Sequence, residues 1–93
     1  MHLDNNFWDF VNKNKLKLVL EYNPENEYPW EAFIKDAKII KHGQERTTSA
    51  ISDGSNQALH YLITQIRGAI IKIEGKEDIQ VPLDLTTTIT LNH

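Results

Sequence analysis

Trp30-Glu31-Ala32-Phe33-Ile34-Lys35-Asp36-Ala37-Lys38-Ile39-Ile40-Lys41 is the stretch that decides how this chain folds. Trp30, Ala32 and Ile34 alternate with Glu31, Phe33 and Lys35, the period-two pattern of a strand with one face turned to a core. The phase slips at Asp36-Ala37, and Ile39 and Ile40 are both apolar, which predicts a bulge or bend inside one long strand. His42-Gly43-Gln44-Glu45 then has the chemistry of a hairpin turn. Arg46–Ser52, rich in Thr and Ser, reads as the returning strand, with one wet face.

Upstream, Leu16, Leu18, Leu20 and Tyr22 alternate with Lys15, Lys17, Val19 and Glu21, so Lys15–Tyr22 is predicted as a strand. Pro24 and Pro29 make the segment between the two strands a loop. Leu3, Phe7, Phe10 and Val11 recur at helical spacing and predict a helix from Asp4 to Asn12. Asp4 would be its N-cap, with Leu3 and Trp8 at the two positions of a hydrophobic staple.

Downstream, Asp53-Gly54 breaks the strand pattern, and Ser55 or Asn56 is expected to cap a second helix. Ala58, Leu59, Leu62, Ile63 and Ile66 form its apolar stripe, and Gly68 is a natural stop. Ala69–Ile73 reads as a short strand, Gly75-Lys76-Glu77-Asp78 as a turn, and Ile79-Gln80-Val81 as extended again, with Pro82 at an edge or end. The Thr-rich tail from Asp84, with Ile89 and Leu91 alternating, is expected to add an edge strand or pair with a partner. The fold class is therefore α+β, in the order α-β-β-β-α. An antiparallel meander is covered on one face by two helices, with a short C-terminal β extension, in a single domain over residues 1–93.

The 93 residues, 40% hydrophobic and 25% charged, are enough for one core and no more. The absence of cysteine excludes disulfide frameworks, cysteine zinc sites and thiol nucleophiles. A net charge of −3 runs against a dedicated nucleic-acid binder, which normally carries a basic surplus. The first ten residues lack the apolar run of a signal peptide, and Ala69-Ile70-Ile71 is too short to span a membrane, so the expected location is the cytoplasm.

Reactive constellations are not evident in the pattern. His2, His42, His60 and His93 are not at metal-ligand spacing. Glu25 and Glu27 flank a loop and Glu77-Asp78 sits in a turn, where nothing desolvates one carboxylate against another. Ser49, Ser52 and Ser55 lack a nucleophile-elbow context. The expectation is a protein that is not an enzyme and uses neither metal nor cofactor.

Three sets of residues could carry binding. Tyr28 and Trp30 flank the rigid Pro29, and His60 and Arg67 lie on the solvent stripe of the second helix; together they are the partner-binding candidates. Lys15, Lys17, Lys35, Lys38 and Lys41, with Lys13, gather around the first two strands as a nucleic-acid patch. Gly54, Ser55 and Asn56 open the second helix and offer free amides to an anion.

From Asp4 to Arg67 the element order resembles the double-stranded RNA-binding domain. Where that family places lysines at the start of its second helix, this chain reads Ser55-Asn56-Gln57-Ala58. Trp30–Ile66, with Asp53-Gly54-Ser55-Asn56-Gln57-Ala58-Leu59, is similar to the β-β-β-α core of HicB-type antitoxins. Phe7-Trp8-Asp9-Phe10, Pro29-Trp30-Glu31-Ala32, Ile66-Arg67-Gly68 and Val81-Pro82-Leu83 together resemble small phage and prophage proteins. That last resemblance implies a phage-type protein that binds a host or phage protein, as a stoichiometric inhibitor or counter-defence protein. The alternatives are a nucleic-acid-binding module and capture of a small ligand such as a nucleotide between two copies of a homodimer.

Overall fold

The computed structural model describes residues 6–86. Its elements, in chain order, are α1 (Phe7–Lys13), β1 (Leu18–Tyr22), β2 (Trp30–Ile34), β3 (Ala37–Lys41), β4 (Gln44–Thr47), β5 (Ala50–Ser52), α2 (Ser55–Ile66), β6 (Ile70–Ile73) and β7 (Ile79–Gln80). The fold is α+β, with two antiparallel sheets ordered β1-β2-β5 and β4-β3-β6-β7.

The long strand and its return form one bent ribbon. Ala32 faces Ala50 and Lys38 faces Thr47, so residues 33–37 stand opposite Thr48 and Ser49 alone. The surplus residues on one arm bend the ribbon, with Asp36 at φ 60°, and part of it joins each sheet. The single meander expected from the pattern is thereby divided in two. The ribbon's tip is a two-residue turn, His42-Gly43, whose φ angles of 54° and 75° match the right-handed twist of the flanking strands.

α2 packs on β2 and β5. The sheet presents Ala32, Ile34 and Ala50 to the core, and the helix presents Ala58, Leu59, Leu62, Ile63 and Ile66, all buried. Small residues on both sides let helix and sheet approach closely. Arg67 is the C-cap, and Gly68 follows at φ 73°, the left-handed exit that glycine adopts without strain. The N-cap is Gly54, with no side-chain capping bond, so neither Ser55 nor Asn56 caps this helix. Ser52 and Gln57 hydrogen-bond beside it instead, the Ser52 hydroxyl donating at 2.6 Å.

α1 is capped by Asn6, whose side chain accepts from the amides of Trp8 and Asp9. Asp4 and Leu3, expected as cap and staple, lie outside the described residues, as does the tail beyond Thr86. The helix ends in a Schellman motif: the Leu16 amide donates to the Val11 carbonyl and the Lys15 amide to that of Asn12. Lys15, at φ 55°, therefore belongs to the helix exit, and the strand begins three residues later than its alternation indicates.

The C-terminal extension is an integral part of the core. β6 lies between β3 and β7, and Ile71 is fully buried. Val81 and Leu85 are buried with it. The Phe7 amide donates to the Thr86 carbonyl at 2.7 Å, and Arg67 Nε donates to the Leu85 carbonyl at 2.8 Å. Residues 81–86 thus tie the start of α1 to the end of α2.

Candidate functional site: an aromatic surface at the head of the first sheet

Large apolar side chains gather at the end of the first sheet remote from α1. Tyr22 and Trp30 are register partners on β1 and β2, and their rings lie 4.9 Å apart between centroids. Across the sheet, Tyr28, Ile51 and Tyr61 line a shallow cleft of about 390 Å³ with Ser52, Asp53 and Gln57. Tyr22 is 54% exposed, Ile51 52%, Tyr28 47% and Tyr61 46%, too open to be core and too apolar to be ordinary surface.

Local structure explains why these groups stay outside. α2 covers β2 and β5 but makes no comparable contact with β1. The apolar face of β1 therefore opens progressively, from half-buried Leu18 to exposed Leu20 and Tyr22. Ile51 is the odd member of β5, between inward-facing Ala50 and Ser52, so its side chain takes the outer face. Tyr61 lies off the buried stripe of α2.

Of the partner-binding candidates read from the sequence, Tyr28 lines this cleft, while Trp30 is half-buried against Tyr22 on the other face of the sheet. His60 is exposed on α2 next to Tyr61. Arg67 is not brought to them; it sits at the opposite end of α2, bonded to Leu85. Ile51 and Tyr61 complete the cleft and were not singled out by the pattern. The available signal for Tyr61 was its place outside the Ala58-Leu59-Leu62-Ile63-Ile66 stripe.

The lysines do not form one patch. Lys38 and Lys41, three positions apart on β3, point to opposite faces. Lys38 pairs with Glu45 at 3.3 Å. Lys41 reaches the C-terminal end of α2, where its ammonium donates to the Gln65 carbonyl at 3.0 Å and the Thr64 carbonyl at 3.4 Å. Lys17 and Lys35 are neighbours through a backbone bond, and Lys15 is held in the α1 exit. Gly54, Ser55 and Asn56 do open a helix, but exposed Asp53 directly precedes them.

A larger cleft of about 840 Å³ lies where the two sheets part, lined by Glu21, Glu31, Asp36 and Glu74 against Lys38. The Ser49 hydroxyl donates to Glu31 there. Among the described residues no group of three or more His, Asp or Glu is placed to hold a metal ion. Nor is any described helix long and apolar enough to cross a membrane. No family model, curated protein or solved structure matches the chain.

Proposed function

We propose that this chain is a non-enzymatic binding protein that acts on a protein partner through the cleft formed by Tyr28, Ile51 and Tyr61. The observation that carries the reading is the exposure of these three large side chains around one cleft. Tyrosines held this way offer broad apolar contact at little entropic cost, the usual chemistry of interface anchors. The short motifs shared with phage and prophage proteins support a phage-type inhibitor or counter-defence protein working in the host cytoplasm.

Site-specific photo-crosslinking tests this. A benzophenone side chain placed at Tyr61 should give a discrete protein adduct in host lysate. The same group at Lys72, on β6 in the other sheet, should not. Equal labelling from both positions, or none from Tyr61, removes the reading.

A further inference from the structure

The aromatic surface sits in a part of the chain with no positive side chain. Residues 18–34 and 50–66 build β1, β2, β5 and α2. Their charged residues are Glu21, Glu25, Glu27, Glu31 and Asp53, with no lysine or arginine among them. All ten lysines and arginines lie elsewhere in the chain.

Acids border the Tyr28–Ile51–Tyr61 cleft. Glu21 and Glu31 are register partners, and Glu31 is in turn the partner of Ile51. With Ile51 they form a row across the outer face of the sheet, the face opposite Tyr22 and Trp30. Asp53 lines the cleft with Tyr28, Ile51 and Tyr61. Glu25 and Glu27 are exposed in the loop leading to Tyr28.

Lys38 lines one cleft with Glu21 and Glu31 but is paired with Glu45, whereas the cleft of Tyr28, Ile51, Asp53 and Tyr61 is lined by no lysine or arginine. Lys17 and Lys35 meet at the opposite end of the β1–β2 pair. Five residue steps of extended chain separate Lys17 from Tyr22, about 16 Å at the rise of a strand. That is about two Debye lengths at physiological salt.

We infer that the partner surface received here is cationic, an arginine- or lysine-bearing protein segment with apolar side chains between its charges. This rests on the protein-binding reading of the same surface and adds the partner's chemistry. Apolar side chains fill the Tyr28–Ile51–Tyr61 cleft. Guanidinium or ammonium groups lie over tyrosine faces, where the ring quadrupole attracts them, and pair with the surrounding carboxylates. A polyanion, nucleic acid included, is repelled from the same face.

Two designed amphipathic peptides test it, one of leucine and arginine, the other with glutamate replacing each arginine. Amide chemical shifts of the labelled protein are followed as each is added. The arginine peptide should shift the amides of Tyr28, Ile51, Asp53 and Tyr61, and higher salt should weaken its binding. A Glu25→Gln, Glu27→Gln, Asp53→Asn variant should bind it about tenfold more weakly, at roughly 0.5 kcal/mol per lost exposed pair, with unchanged thermal unfolding. Equal binding of both peptides at these residues overturns the inference and leaves the protein-binding reading standing. Binding of the arginine peptide elsewhere on the molecule also overturns it. If neither peptide touches the patch, and benzophenone at Tyr61 captures nothing, both readings fall together.

Discussion

Thr48 holds Ile34 by both of its backbone polar groups. The Thr48 hydroxyl accepts from the Ile34 amide at 2.9 Å and donates to the Ile34 carbonyl at 3.2 Å. Both residues are buried, and they lie where the bent ribbon loses its regular pairing. One side chain thus replaces two ladder bonds, and this allows the ribbon to part into two sheets without orphaned backbone groups in the core.

Thr48→Val keeps the shape of the side chain and removes both bonds. The stranded amide and carbonyl should cost about 2–4 kcal/mol in urea unfolding. Thr48→Ser retains the hydroxyl and should lose only about 1 kcal/mol, for one methyl group. Equal losses from the two variants would show that the hydroxyl does not close the bend.

Lys15 occupies the left-handed position of the α1 exit, where glycine is usual. Lys15→Gly should stabilise the protein by about 0.5–1 kcal/mol, the left-handed penalty less the added chain entropy of glycine. Lys15→Val should destabilise it, because a β-branched residue tolerates positive φ poorly. Thermal unfolding of the pair checks the sign in both directions.

Gly68 combines a positive φ with a close neighbour. A Cβ built there would lie 2.5 Å from Leu83 Cδ2. Leu83 is 81% exposed, and its tip can swing into solvent, whereas the φ of 73° is fixed by the helix exit. The backbone term should therefore dominate, so that Gly68→Ala costs about 1–2 kcal/mol. Adding Leu83→Ala should recover little of it. Full rescue in the double variant would place the cost in the side-chain clash.

Lys41 puts a positive charge against the negative end of α2. Lys41→Met should lower stability by about 0.5–1 kcal/mol at low salt, and the difference should shrink as salt is added. A loss that stays constant across a salt series would assign the effect to packing of the side-chain stem.

Part of this molecule was legible without coordinates. The stripe Ala58, Leu59, Leu62, Ile63 and Ile66 is the buried set of α2, Gly68 ends the helix, and the phase slip at Asp36-Ala37 marks the bend. Tyr28 was visible as an exposed candidate because Pro29 holds it outside a strand. Ile51 was not, since an apolar residue in a short strand reads as core until its neighbours are placed.

Periodicity alone therefore determined which face of each element is apolar and where the chain turns, because backbone geometry ties side-chain direction to positions only a few residues away. Tertiary structure decided which edges pair and which charges remain free. Ala69-Ile70-Ile71-Lys72-Ile73 would look the same at a sheet's margin as in its middle, and only contact with β3 and β7 makes it central. Lys38 and Lys41 are alike in sequence, yet one meets Glu45 and the other a helix end, since long-range packing chooses among chemically equivalent partners.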